Sequence, residues 1–123
     1  MAMRAEEKPV PVPPGKAIYQ LVVEAKAGLR TDQRSELRYA FFRPISIEMD
    51  DGQKYSAFSR EISEASIGLL HNIDLNDREV EITIPSDGGY SIRVRTRIEW
   101  CSACGEGWYI SGGQFVGIAS IGR

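Results

Sequence analysis

Apolar and polar residues alternate with period two along most of this chain, and the period lengthens to that of a helix only near its beginning. Between Lys16 and Leu29, the residues Ile18, Leu21, Val22, Ala25 and Leu29 recur at helical spacing, with Gln20, Glu24 and Lys26 off the stripe. This predicts a short amphipathic helix covering one end of a sheet, with Gly28 weakening its last turn. From Pro44 onward the period is two. Ile45, Ile47 and Met49 alternate with Ser46 and Glu48, Asp50-Asp51-Gly52 is a hairpin-turn signal, and Lys54 to Ile62 reads as the return strand. Ser63 to Ser66 interrupts the pattern before a short apolar strand at Ile67 to His71. After an Asn- and Asp-rich loop, Val80, Ile82 and Ile84 alternate with Glu79, Glu81 and Thr83, and Pro85 to Gly89 forms a turn.

The clearest alternation sets Ile92, Val94, Ile98 and Trp100 against Arg93, Arg95, Arg97 and Glu99. Cys101 to Gly107 reads as a loop. Trp108 to Ile118 reads as the last strand, with Gly112-Gly113 marking a bulge or sharp bend. Trp100, Trp108 and Phe115 are assigned to the core. Six short strands in series, joined by turns, give an all-β protein whose antiparallel sheet closes into a six-stranded β-barrel, with the helix as an accessory.

A chain of 123 residues forms one domain and can bury a single core without disulfides. Residues 1–15 hold four of the six prolines and read as a proline-rich disordered tail, 16–32 as the helix and a connector, and 33–123 as the barrel. The start of the chain has Arg4, Glu6, Glu7 and Lys8 and then alternating prolines, which is no apolar signal-peptide core, and no stretch reaches the length of a membrane span. A cytoplasmic location without membrane insertion is the expectation, and two cysteines fit a reducing compartment. With a net charge of −2, no global field draws the protein onto nucleic acid, so any anion site must be local.

Two local runs supply such a site. Arg34 and Arg38 stand four apart in a connector just ahead of the first strand. A guanidinium fork matches a phosphate, or the Hoogsteen edge of guanine, with two parallel hydrogen bonds, and it stacks on a base. Arginines only donate, whereas a guanine also carries donors that need an acceptor. The second run, Glu61-Ile62-Ser63-Glu64-Ala65-Ser66, offers the Glu61 carboxylate, the Ser63 hydroxyl, and small residues at Ala65 and Ser66 that permit close approach to the backbone. Read alone, Glu61 is also a solvated strand-end charge, and Ser63 and Ser66 are also turn residues.

Together these runs resemble the PilZ domain family, which carries an Arg-x-x-x-Arg motif followed, after a strand pair, by Asp/Asn-x-Ser-x-x-Gly. Arg34 and Arg38 match the first motif and Glu61 to Ser66 align with the second. The runs Ile67 to His71 and Trp108 to Phe115 also look like strands of this family, so the resemblance spans roughly Arg34 to Ile118. It implies a six-stranded barrel that binds the bacterial second messenger cyclic di-GMP without a further cofactor, and signals to a downstream protein partner by conformational change. By position, Arg34 and Arg38 clamp guanines and phosphates, Glu61 reads a guanine edge and Ser63 contacts phosphate. Arg60, adjacent to the second motif, adds a cationic contact by proximity. Three positions depart from the pattern: Glu61 stands for Asp or Asn, Ser66 for Gly, and Gln33 where many members of the family have a further arginine. If the family glycine has a left-handed φ, a serine there is strained. The alternative expectation is a degenerate PilZ domain that binds no nucleotide and acts as a protein–protein interaction module.

Other constellations carry less. Cys101 and Cys104 form a lone Cys-x-x-Cys, short of the four ligands of a zinc site. His71 reads as a packed, hydrogen-bonded residue. No nucleophile elbow, P-loop or dinucleotide fingerprint occurs, so the expectation is a binding protein and not an enzyme.

Overall fold

A computed structural model describes residues 14–26 and 37–122 of the chain. The tail through Pro13, the predicted helix end including Gly28 and Leu29, and the connector with Arg34 lie outside the described residues. The helix α1 spans Pro14–Lys26, so it begins just inside the segment read as tail. Proline fits the first helical position, where its missing N–H has no partner to lose and its φ is already helical. Ile18, Leu21, Val22 and Ala25 are buried against the barrel, as their spacing predicts.

Seven strands follow among the described residues: β1 (Tyr39–Ala40), β2 (Pro44–Glu48), β3 (Lys54–Ile62), β4 (Ser66–His71), β5 (Glu79–Pro85), β6 (Ser91–Gly105) and β7 (Trp108–Gly122). All pairings are antiparallel, in the order β1-β3-β2-β5-β6-β7-β4, and β4 pairs back onto β3. β2 to β7 therefore form the closed six-stranded barrel, and the two-residue β1 is an extra strand lying along β3. Closure leaves no long open edge to recruit another chain. The interior is filled by the buried members of the alternation, among them Ile47, Ile62, Leu69, Ile82, Ile84, Ile92 and Val94, with α1 packed on β1, β3 and β7.

The stretch Cys101 to Gly107 is not a loop. β6 stays paired with β7 through Gly105, and the hairpin closes at Glu106 and Gly107, whose φ values of 59° and 82° are both left-handed. Both cysteines are free, and they lie on this strand extension. Trp100 and Trp108 are exposed and not core, whereas Phe115 is buried. The cause at Trp100 is a β-bulge. The register runs Ile98↔Gly113 and then Trp100↔Gly112, so Glu99 is inserted and the alternation slips by one. Trp100 thus turns outward although its parity matches the buried Ile92, Val94 and Ile98.

Two polar groups brace the interior. His71 is buried; its Nδ1 lies 2.7 Å from the Ile73 carbonyl and its Nε2 2.7 Å from Ser111 Oγ. A carbonyl only accepts, so Nδ1 carries the proton and Nε2 accepts from the serine. Burial holds this imidazole below its ordinary pKa of 6.5. At the helix end of the barrel, Glu24 accepts from Arg43 Nη1 at 2.7 Å and from Ser86 Oγ at 2.7 Å. Arg43 also reaches the Pro85 carbonyl at 2.9 Å and Asp87 at 3.2 Å, and covers the Phe41 ring at 4.3 Å. Glu24, off the apolar stripe, is therefore an anchor of the helix. Burial pushes its carboxyl up, but hydrogen bonds from Ser86, Gln20, Arg43 and the Asp87 N–H outweigh it and hold the group below its ordinary value.

Candidate functional site

The outer face of the barrel gathers part of each sequence motif. Residues 37–43 run along β3, pinned by Tyr39 and Phe41, which point into the core. The Phe41 N–H donates to the Arg60 carbonyl at 3.0 Å. The buried Ser59 hydroxyl donates to the Phe41 carbonyl and accepts the Arg43 N–H at 3.0 Å. With that segment fixed, Arg38 lies over the outer face, where its Nη1 donates to Glu61 Oε2 at 2.8 Å.

Glu61 reaches that face because β3 is bulged. The register passes from Ser59↔Leu69 to Glu61↔Gly68, leaving Arg60 as the inserted residue. Arg60 Nε donates to the Leu69 carbonyl at 3.1 Å, and its guanidinium lies across Gly68, where a Cβ would stand 3.0 Å from Nη2. Gly68 pairs directly with Gly112 on β7, and Gly112 pairs with Trp100 on β6. A Cβ on Gly112 would come within 2.3 Å of Trp100 Nε1, so glycine alone lets the indole lie down on the strand there. Two paired glycines thus form a depression with Arg60 over one and Trp100 over the other.

A cavity of about 40 Å³ opens at this place, lined by Arg38, Glu61, Ser66, Gly68, Glu99, Trp100 and Gly112, with Ile62, Ile67 and Gly113 behind them. It has room for a water or two, so a nucleotide would lie across its mouth rather than inside. The side chains of Arg38 and Glu61 are 26% and 19% exposed, so their ion pair is in partial contact with solvent. Such a pair contributes up to about 1 kcal/mol and is readily exchanged for another partner.

The remaining motif residues take different places. Ser63 is buried, and its hydroxyl accepts from the Ala65 N–H at 3.2 Å and the Ser66 N–H at 3.1 Å. It also lies 2.9 Å from Ser66 Oγ. Its hydroxyl therefore shapes the turn from β3 to β4, a serine use that competes with ladder pairing by design of the side chain. Ser66 lines the cavity. It is not strained: among the described non-glycine residues, left-handed φ values occur at Asp77 and Glu106. Arg34 lies outside the described residues. Arg93 and Arg95 are engaged elsewhere, Arg93 with Glu81 at 2.7 Å and Arg95 with Glu79 on the neighbouring strand.

Sequence reasoning missed Trp100 and Glu99. The signal that could have found them is the glycine pair Gly112-Gly113, which marks where the partner strand must bulge. No group of three or more His, Cys, Asp or Glu able to hold a metal ion occurs among the described residues, and no helix among them is long and apolar enough to cross a membrane. No family model matches the chain, and no curated protein matches it in sequence.

Proposed function

We propose that this protein is a cytoplasmic receptor for cyclic di-GMP that binds the dinucleotide on the outer face of the barrel and turns over no substrate. The observation that carries this reading is the meeting of the two motifs. Arg38 of the first and Glu61 of the second, 23 positions apart in sequence, lie 2.8 Å from each other at the rim of one cavity. The chemistry there suits a guanine dinucleotide. Arg38, Arg60 and, from the connector, Arg34 supply forked donors for phosphate and the guanine Hoogsteen edge. Glu61 supplies an acceptor for guanine N–H groups, Ser66 a hydroxyl and Trp100 an exposed ring on which a base can stack, while the glycine pair lets the Arg60 and Trp100 side chains lie flat on the strands. Ser63 supports the site from the turn below it.

Binding in this scheme moves Arg38 from Glu61 to the ligand, and the reordered arginine segment presents a surface to a downstream protein. The test is isothermal titration of cyclic di-GMP into the purified protein, with Arg34→Ala/Arg38→Ala as control. Saturable micromolar binding that the double variant loses is the expected result; a flat titration of folded protein overturns it. A second reading, an interaction module without nucleotide, is favoured by one observation: Phe42 is 67% exposed and stacks on Phe58 with ring centres 5.1 Å apart, an aromatic surface on the same outer side.

A further inference from the structure

The two walls of the cavity carry opposite chemistry. On the β3 side Arg38 lines the cavity, with the Arg60 guanidinium lying over Gly68 beside it; across the paired glycines, on β6, stand Glu99 and Trp100. Glu99 is the inserted residue of the β6 bulge, exposed at the cavity rim, and no hydrogen bond or ion pair ties it to the described residues. The other carboxylate of the cavity, Glu61, is held by Arg38. A bulge re-aims the side chain it carries, and bulges gather beside binding sites for that reason.

A carboxylate at that rim does two things to a nucleotide. It repels phosphate, which is thereby placed on the arginine side. It also accepts a pair of N–H donors from a base laid against the neighbouring indole. Guanine presents such a pair, N1–H and the 2-amino group, whereas adenine presents an unprotonated N1 that a carboxylate repels. We infer that Glu99 is the specificity residue of this site, a carboxylate that reads the imide–amine edge of a guanine stacked on Trp100 and rejects adenine. The inference rests on the proposed function, since it concerns the same ligand and cavity.

The test compares cyclic di-GMP with cyclic di-AMP by titration into the wild type, Glu99→Ala, Glu99→Gln and, as a control for lost surface charge, Glu64→Gln, an exposed carboxylate that does not line the cavity. Thermal melts establish that each variant is folded. The wild type is expected to prefer the guanine ligand at least about tenfold, the scale of one charge-assisted hydrogen bond. Glu99→Ala should weaken cyclic di-GMP by about tenfold while leaving cyclic di-AMP unchanged or tighter, and Glu99→Gln should fall between. Glu64→Gln should match the wild type. Selectivity unchanged in Glu99→Ala, or an equal loss for both ligands, overturns the role of Glu99 and leaves the receptor reading standing. A wild type that binds neither dinucleotide overturns both.

Discussion

Two arginines five positions apart on one short segment, Arg38 and Arg43, each meet a glutamate at nearly the same distance, 2.8 Å and 2.7 Å. Their surroundings differ. The Glu24 side chain is 6% exposed and takes hydrogen bonds from Gln20, Arg43, Ser86 and the Asp87 N–H. Arg43 is braced in turn by Asp87, the Pro85 carbonyl and the Phe41 ring. Both members of that pair are held from several directions inside the protein, so it fixes the helix on the barrel. Glu61, by contrast, accepts from Arg38 alone among the described residues, at a rim where Arg60 and Glu99 have no ion pair and Trp100 is exposed. The same pair of residue types makes a fastener where the carboxylate is saturated, and lines a candidate site where the carboxylate accepts from one described residue and keeps acceptor capacity.

The largest expected effect that separates the two regions is on stability. Arg43→Ala strands a nearly buried carboxylate and should cost about 3 kcal/mol in denaturant unfolding, whereas Arg38→Ala should cost less than about 1 kcal/mol. Equal losses would erase the distinction. Gly112→Ala comes next: the added methyl must displace Trp100, at about 1–3 kcal/mol of stability, and should abolish ligand binding if the indole is part of the site. Third, Arg38→Ala should weaken cyclic di-GMP by at least about 1.5 kcal/mol, read by titration, with the melting temperature of the empty protein nearly unchanged. Ser66→Gly combined with Glu61→Asp brings the run to the motif that it resembles and should tighten binding; an unchanged affinity would show that the turn, held by Ser63, tolerates both forms.

The smallest effects are in the pH dependence. Glu24 has a folded pKa below its ordinary 4.5, so its contribution is complete above that value and is lost as pH falls through the folded pKa. Glu24→Gln should flatten the acid limb of the stability curve, and Arg38→Ala should leave it in place. His71 has a folded pKa below 6.5, so the unfolded chain takes up the proton first and stability declines as pH falls below 6.5. A His71→Gln variant that keeps the same slope between pH 7 and pH 5 would remove that residue from the account.

The fold was legible wherever one face is buried and the other wet. The bounds of β3 and the alternation of β5 follow directly from the sequence pattern, because period two is itself the burial pattern. Legibility failed where pairing is dictated by a partner. The run Cys101 to Gly105 is small and exposed on both faces, so it carries no periodic signal, and only its register against β7 makes it a strand. Trp100 was placed in the core by parity, and a single inserted residue reversed it. Arg38, Glu61 and Ser66 were singled out because each stands in a short run that resembles a known motif, and the structure brings them to one cavity although Arg38 and Glu61 are 23 positions apart. The Glu24 anchor was not legible, since no motif links Glu24 to Arg43 and Ser86, 19 and 62 positions away.

The paired glycines under the candidate site have a consequence in time. Gly68 and Gly112 belong to the β4–β7 seam, one of two seams of the six-stranded barrel that join strands not adjacent in the chain. The four hairpins can zip locally, but this seam must first enclose a loop of about forty residues, the slow kind of step in β topologies. The glycine pair, and the depression in which Arg60 and Trp100 lie, therefore exist only once that seam has closed. Binding on this face, as proposed, would require the β4–β7 seam to be closed, so a copy that has not finished folding would lack the place for it, and a ligand would favour the finished form by capturing it.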